Sequence, residues 1–302
     1  MNRTFLSLLF LSITALGLKA QKPDPVLVRV KYTLSHIRDT NYRSEPYKEE
    51  MLLVTGKNAS IFTSYDNILQ ANRMAEFIKQ QTKASGGVLN NIVMQKGLLK
   101  PVSKTDFYYF PIEKKAFIVE NLASTFLIPG DTTPIHWKIA KDTLSFSGIH
   151  CQMATTVFKG RKWTAWFAPD LPFQSGPWKL NGLPGLIIEA YDERKDVTFR
   201  FAGMEKPEDA NALNKRENLL IGTANIEVNH DQYLGKEIKL PKNTVNATAE
   251  EIKRYLAAKS TSPTSIINSQ SPTGATVRRI SSPTSATNVV KRVLNNPIEL
   301  AN

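Results

Sequence analysis

The stretch IHCQMATTVFKGRKWTAWFAPDLPFQSGPWKLNGLPGLI, residues 149–187, decides the fold of this chain. It opens with two runs rich in β-branched and aromatic residues, Ile149–Phe158 and Lys162–Ala168, separated by only three residues. A connection this short joins antiparallel strands. The second run places Trp163 on one face and Trp166 on the other, which is typical of a sheet covered on both sides or of a concave sheet with an apolar interior.

A seventeen-residue loop, Pro169–Gly185, follows this hairpin and contains four prolines and three glycines. Loops of this length inside a compact domain are uncommon, and they are usually functional or tightly packed on themselves. Two interpretations stay open: a rigid corner between sheet edges, or a surface that contacts a partner. Its candidate partner motif consists of Phe173, Trp178, Gly182, Leu183, Pro184 and Gly185.

The end of the loop predicts a tight turn over residues 183–186. Pro184 presets the backbone angle of the second turn position. Gly185 would take the third position, where a type II turn needs a positive φ that glycine adopts without a clash. The turn would fix which face each residue of the following strand, Leu186–Tyr191, presents.

Strand signals continue on both sides of this region, and together they predict a mainly β (α+β) fold. We expect a curved antiparallel sheet or half-barrel with a few packed helices. The other predicted strands are Val26–Thr33, Glu49–Thr55, Ser60–Ser64, Phe107–Pro111, Lys115–Leu122, Thr125–Ile128 and Val197–Ala202.

Two helices are predicted between the strands. The first begins near Asp66, which can cap it, and carries an apolar stripe that should pack on the sheet. Gly86-Gly87 ends it. The second begins at Thr248, whose hydroxyl and the carboxylate of Glu251 form a capping-box pattern.

The ends of the chain differ from its middle in composition. Residues 1–20 combine Arg3, a short apolar run and a small-residue cleavage site before Gln21, which predicts a secretory signal peptide. Residues 21–258 form one predicted β-rich domain. Residues 259–287 are crowded with Ser, Thr, Pro and Asn, and such a segment is predicted to be flexible. Residues 288–302 regain apolar character, and we expect this tail to dock on the domain.

The sequence favours an exported protein that is soluble or only peripherally attached to a membrane. No stretch after the signal peptide is apolar and long enough to cross a bilayer. The predicted mature chain has 37 basic and 27 acidic residues, a formal charge of +10, spread thinly along the sequence. No nucleic-acid recognition motif accompanies this charge. A single cysteine, Cys151, cannot form an internal disulfide, so the fold needs an ordinary hydrophobic core.

No catalytic motif, metal-ligand spacing or cofactor motif stands out, so we expect neither a metal nor a cofactor. Cys151 lies in a predicted strand and is expected to be a buried thiol. The histidines are scattered, although His136, His150 and Cys151 could meet across a hairpin. Carboxylates near the loop leave a two-acid hydrolase open as an alternative; they are Asp170, Glu189, Asp192 and Glu193.

The string GLPGLI at residues 182–187 resembles the signature that names the GLPGLI family of exported Bacteroidetes proteins. This resemblance implies a periplasmic or outer-membrane setting and, from family gene context, partnership with a TonB-dependent receptor. The family is largely uncharacterised, so it supplies no catalytic residues. The other matching elements are Trp137-Lys138-Ile139, His150-Cys151-Gln152, Gly160-Arg161, Thr164-Ala165-Trp166-Phe167, Pro172, Gly176-Pro177 and Asn296-Pro297-Ile298-Glu299-Leu300.

Three functions remain open from the sequence. The first is a non-enzymatic binding or accessory protein of the cell envelope, with an apolar ligand or a peptide held by the sheet. The second is a periplasmic hydrolase whose carboxylates assemble only in the fold. The third is a structural partner of an outer-membrane receptor that docks through the 169–185 loop.

Overall fold

The computed structural model describes residues 22–86, 91–94, 99–208, 217–221, 224–228, 230–261, 276–279 and 293–300. The predicted signal peptide and most of the predicted low-complexity segment lie outside these ranges. No helix among the described residues is both long enough and apolar enough to span a membrane.

The described residues form eighteen strands, three α-helices and one short 3-10 helix at Thr40–Tyr42. The helices are α1 (Tyr65–Ala84), α2 (Asp231–Leu234) and α3 (Ala249–Thr261). The strands are β1 (Asp24–Pro25), β2 (Val28–His36), β3 (Tyr47–Thr55), β4 (Ser60–Ser64), β5 (Asn91–Met94), β6 (Thr105–Phe110), β7 (Lys115–Asn121), β8 (Thr125–Pro129), β9 (Lys138–Phe146), β10 (Ile149–Phe158), β11 (Arg161–Ala168), β12 (Leu186–Asp192), β13 (Val197–Glu205), β14 (Glu217–Ile221), β15 (Ala224–Val228), β16 (Glu237–Ile238), β17 (Val245–Asn246) and β18 (Thr276–Arg279).

Twelve strands form one open sheet in the order β17-β8-β7-β6-β4-β3-β2-β13-β12-β11-β10-β9. Every neighbouring pair is antiparallel except β17 and β8, which are parallel. Three two-stranded sheets, β1-β16, β14-β15 and β5-β18, accompany it. The prediction of a mainly β fold is confirmed, and the sheet does not close into a barrel because β17 and β9 form its two edges.

The hairpin between β10 and β11 forms at the predicted connection. Phe158 pairs with Arg161, and the two residues between them are both left-handed, with φ of 49° at Lys159 and 71° at Gly160. Two positive φ values are what a two-residue type I′ turn requires. The local sequence therefore sets the register of this hairpin.

Both faces of the sheet centre are buried. On one face, which we call the inner face, Met51 and Leu53 of β3 join a core with Trp163 and Phe167 of β11. On the outer face, Leu52 and Val54 of the same strand pack with Ile61 and Ile68. Burial of both faces explains why β3 is apolar at four consecutive positions, Met51–Val54.

Helix α1 covers the outer face, as its apolar stripe predicts. Ile68, Ala75 and Ile78 are buried. The capping residue differs from the prediction: Ser64, not Asp66, accepts the hydrogen bond from the Asn67 amide at the N-terminus. Asp66 instead accepts a bond from the Glu50 amide and pairs with Lys100. A carboxylate in the first turn already interacts favourably with the helix dipole, so the residue still stabilises this end.

The other predicted helix ends are as expected. Gly86 follows α1 with φ of 80°, the left-handed conformation common after a helix C-terminus. At α3, the Thr248 hydroxyl accepts from the Glu251 amide, while the Glu251 carboxylate accepts from the Thr248 amide at 2.7 Å. The predicted capping box is confirmed.

The predicted low-complexity segment, residues 259–287, enters the described part of the chain at two places. Residues 259–261 complete α3, and Thr276–Arg279 form β18, which pairs in parallel with β5. The remainder of the segment lies outside the described residues, so its predicted flexibility stays a prediction.

Candidate functional site

The 169–185 loop lies on the inner face of the sheet and is fixed there by hydrogen bonds. Where β12 begins, the Leu186 amide donates to the Leu171 carbonyl at 2.9 Å and the Ile187 amide donates to the Ser175 carbonyl at 3.1 Å. The Ser175 hydroxyl donates to the Thr55 hydroxyl of β3 at 3.0 Å. Because these bonds join the loop to two separate strands, it is an ordered part of the core.

Trp178 is the main anchor of the loop. Its side chain is only 6% exposed, and its ring lies 5.7 Å from that of Trp163 and 5.9 Å from that of Phe158. Its φ of 57° is uncommon for a bulky residue, so the surrounding packing must hold this backbone conformation. Trp178 therefore packs inside the protein and is not presented to a partner.

The prediction that Gly185 needs a positive φ in the turn is wrong. Gly185 has no positive φ; the left-handed glycine is Gly182, with φ of 86°. A Cβ on Gly185 would lie 2.2 Å from the Ala168 carbonyl oxygen, whereas a Cβ on Gly182 would meet nothing within 4 Å. Gly185 is thus required by the close approach of two backbone segments, and Gly182 by its backbone angle.

The remaining residues of the predicted motif divide between core and surface. Leu183 is 1% exposed and joins the inner core, and Phe173 packs against that core while half-buried. Pro184 and Gly182 are exposed. Of the six residues in the motif, only Trp178 lines the cleft described next. Contact of the loop with a partner stays a prediction.

A narrow cleft opens between the loop and the inner face of β4, β6 and β7. Phe107 and Tyr109 of β6 and Ile118 of β7 form its floor while remaining half-buried. Its free volume of about 40 Å³ exceeds the roughly 10–15 Å³ that one water molecule requires. The full lining is Ser60, Phe62, Phe107, Tyr108, Tyr109, Ala116, Phe117, Ile118, Gly130, Asp131, Thr132, Thr133, Ile135, Phe158, Gly176, Trp178, Lys179, Leu180 and Asn181.

Two ion pairs lie at the cleft. Lys179 pairs with Glu299 of the C-terminal tail, and Lys159 pairs with Asp131. The hydrogen bonds from Lys159 and from Thr133 lower the pKa of Asp131 below its usual value. Asp131 therefore stays a carboxylate at neutral pH, and Lys159 faces an anion that Thr133 also holds in place.

Residues 293–300, which we call the tail, contact the domain through a buried arginine. The Arg161 guanidinium donates to Asp192 at 2.5 Å, to the Asn296 side chain at 2.7 Å and to the Ile298 carbonyl at 2.8 Å. It also donates to the Pro297 carbonyl. Since the Arg161 side chain is 3% exposed and Asp192 is 5% exposed, water competes little for these bonds.

His36 holds the same part of the tail from the other side. Its Nε2 lies 2.7 Å from the Asn296 carbonyl oxygen. Burial lowers the pKa of His36 to about 4, because the charged imidazole would lose its hydration. His36 is therefore neutral at physiological pH and acts as a structural hydrogen-bond donor to the tail.

The carboxylates considered for a hydrolase lie in different surroundings. Asp192 is held by Arg161, Glu193 pairs with Lys162 at the surface, and Asp170 is exposed in the turn after β11. Glu189 is half-buried in β12, where burial raises its pKa and Arg200 partly opposes this. Among the residues that line the cleft, Asp131 is the one carboxylate.

The metal combination considered from the sequence does not assemble. His136 and His150 are exposed, whereas Cys151 is 0% exposed and burial raises the pKa of its thiol to about 11. Within the described ranges, no group of three or more His, Cys, Asp or Glu side chains is placed to hold a metal ion. The predicted burial of Cys151 is confirmed.

Another buried carboxylate, Asp106, lies on the outer face. It accepts hydrogen bonds from the hydroxyls of Thr63 at 2.6 Å and Tyr233 at 2.8 Å, and from Asn121 at 3.0 Å. Burial raises its pKa to about 6, although these bonds act in the opposite direction. This network joins α2 to β4, β6 and β7, and it lies away from the cleft.

Sequence reasoning missed the cleft residues that lie outside the 169–185 loop. Phe107 and Tyr109 belong to a predicted strand, but their alternation gives no sign that half of the strand faces a cleft. Lys179 lies inside the loop that the sequence did single out. Glu299 lies in the tail, 120 residues away, and its contact with Lys179 has no local signal.

Comparison with solved structures gives two distant similarities. Two solved structures titled as PNGF-II, in P21 and C2 space groups, are similar to the chain at 11% and 12% identity, each with a TM-score of 0.46. They cover 76% and 77% of the chain, which spans only about a third of their length.

No curated protein matches the chain. Residues 78–189, which run from the last turns of α1 into β12 and include the whole 169–185 loop, match the model of one family. That family is described as a protein of unknown function, Porph_ging.

Proposed function

We propose that this protein is a non-enzymatic binding protein of the cell envelope that holds an apolar ligand in the cleft beneath the 169–185 loop. The observation that carries the proposal is the floor of the cleft. Phe107, Tyr109 and Ile118 are half-buried in the free protein, and Phe107 packs at the margin of the inner core. Burying this remaining apolar surface against a ligand is favourable by about 25 cal/mol per Å².

The shape of the cleft limits what can bind. A free volume of about 40 Å³ is far below the roughly 300–1,000 Å³ of a pocket for a drug-sized molecule. This free space encloses only a few atoms, so a ligand would lie mainly along the half-buried floor, where an unbranched hydrocarbon chain needs less room than a ring system. Ligands that are long and thin therefore fit the cleft best.

The envelope setting of the proposal comes from the sequence. The predicted signal peptide supports export, and the GLPGLI resemblance supports a periplasmic or outer-membrane location in a Bacteroidetes bacterium. Contact with an outer-membrane TonB-dependent receptor would use the exposed part of the loop around Gly182 and Pro184, since Trp178 is buried.

A hydrolase is the less favoured function. General acid catalysis by a carboxyl group at neutral pH requires a raised pKa and access to substrate. Asp131 has access but a lowered pKa, and Asp106 has a raised pKa but is 2% exposed on the other side of the sheet. Neither carboxylate meets both requirements.

Equilibrium dialysis of the mature protein against radiolabelled dodecanol tests the proposal. We expect saturable binding that Ala116→Phe weakens at least about tenfold, because the new ring fills the cleft next to Tyr109. Ala140→Phe is the matched control, since Ala140 lies in the edge strand β9 outside the cleft lining. Equal binding by the wild type and both variants would contradict the proposal, as would no saturable binding at all.

A further inference from the structure

Among the described residues, Lys179 is the one cation that both lines the cleft and pairs with the tail. Its Nζ lies 5.7 Å from the ring centroid of Phe107 and 5.6 Å from that of Trp178, and its side chain is 17% exposed. A lysine held against two aromatic rings is partly desolvated, which strengthens its attraction for an anion. In this structure that anion is Glu299.

The side chain of Glu299 can leave Lys179 without release of the tail. The tail is anchored on either side of it, by Arg161 at the Pro297 and Ile298 carbonyls and by the Leu300 amide, which donates to the Lys159 carbonyl at 3.1 Å. The Glu299 side chain itself is 43% exposed. Because Glu299 is this exposed, it can rotate into water and leave Lys179 to an incoming carboxylate, which gains the same attraction.

Lys159, the other lysine at the cleft, cannot exchange its partner for a ligand in this way. Its partner Asp131 also accepts bonds from the amide and hydroxyl of Thr133, at 2.9 Å and 2.6 Å, which hold the carboxylate in place. An incoming anion would have to displace a carboxylate that is part of its own turn. Lys179 is therefore the site at which a charged ligand group can bind.

We propose that the cleft binds a fatty acid, with its hydrocarbon chain on Phe107, Tyr109 and Ile118 and its carboxylate on Lys179 in place of Glu299. This inference rests on the proposed function and adds two elements to it. It names the chemical class of the ligand, and it makes the C-terminal tail a competitor that occupies the ligand's charged subsite.

A free carboxylate on an apolar chain is also found at the C-terminus of an apolar peptide. The small free volume favours the unbranched fatty acid, because branched side chains need more room and amide groups need hydrogen-bond partners where they are buried. The peptide tri-leucine serves as the probe for that source.

The test measures dodecanoate and dodecanol binding by equilibrium dialysis on the wild type and four variants. Lys179→Met should weaken dodecanoate binding about tenfold and leave dodecanol binding unchanged, because a charge-assisted hydrogen bond is lost. Lys179→Arg should retain dodecanoate binding. Glu299→Gln should strengthen dodecanoate binding without affecting dodecanol. Glu193→Gln, which removes the exposed partner of Lys162, is the matched control and should change neither.

The outcomes separate this inference from the proposed function. If dodecanol binds and Ala116→Phe abolishes its binding, while dodecanoate is insensitive to both Lys179→Met and Glu299→Gln, the cleft binds apolar ligands and the carboxylate assignment is overturned. If tri-leucine competes as well as dodecanoate, the fatty-acid class is overturned. If neither dodecanol nor dodecanoate binds, the proposed function and this inference both fail.

Discussion

The two glycines that end the 169–185 loop should respond differently to alanine. In Gly185→Ala the new Cβ would lie 2.2 Å from the Ala168 carbonyl oxygen and 2.7 Å from its carbonyl carbon. Both atoms belong to the backbone of β11, so the strand or the loop must move by about 1 Å. Overpacking of this kind typically costs 1–3 kcal/mol, and we expect about 3 kcal/mol because no flexible side chain can give way.

Gly182→Ala should be milder. Its Cβ enters open space, and the left-handed φ of 86° costs an L-residue roughly 1–2 kcal/mol. Alanine also has less conformational freedom than glycine in the unfolded chain, which stabilises the folded state by about 0.4–1 kcal/mol. The net loss should be about 1 kcal/mol.

Urea denaturation followed by far-UV circular dichroism measures both free energies of unfolding, provided that the m-values agree. A larger loss for Gly182→Ala than for Gly185→Ala would refute this assignment of roles. The close approach of the loop to β11 would then be wrong.

Three further predictions concern buried groups. In Trp178→Ala, loss of the ring from the inner core should lower the free energy of unfolding by about 3–5 kcal/mol in urea denaturation; no loss would show that the loop does not pack there. Cys151 should react with a thiol reagent only as fast as the protein opens, because it is 0% exposed and its pKa is raised; rapid labelling of native protein, timed against unfolded protein, would contradict its burial. Asp106 has a folded pKa of about 6 against an unfolded value near 4, so the stability that it contributes is present below pH 4 and is lost as the pH rises through 6. Asp106→Asn should therefore gain up to about 3 kcal/mol relative to the wild type between pH 4 and pH 7, and a parallel pH profile of the two proteins would contradict this. Burial lowers the pKa of His36 from 6.5 to about 4, so the stability that His36 contributes is present above pH 6.5 and is lost as the pH falls through 4. This loss is the same in the wild type and in Asp106→Asn, so it does not change the difference between them.

The sequence was sufficient for the mainly β class because most strands carry local signals. Ser60–Ser64 and Ile149–Phe158 have the predicted bounds. In contrast, β9 was missed. Most of its residues are exposed, and its pairing with β10 is interrupted by a register shift between Gln152 and Ala154, so it has no regular apolar alternation.

The candidate site was harder to predict because long-range contacts form it. The sequence identified the 169–185 loop through its length and its prolines, but the role of Gly185 depends on Ala168, which approaches only in the fold. The charged end of the cleft joins Lys179 to Glu299, 120 residues later. Nothing local to either residue specifies the other.

The most direct test of the cleft as a ligand site is photo-crosslinking with a dodecanol analogue that carries a diazirine on its chain. After irradiation and proteolysis, mass spectrometry should find the label in peptides that contain Thr105–Phe110 or residues 130–135, and Ala116→Phe should remove it. A label concentrated on exposed apolar residues elsewhere, such as Met204 of β13 or Leu256 of α3, would contradict the account.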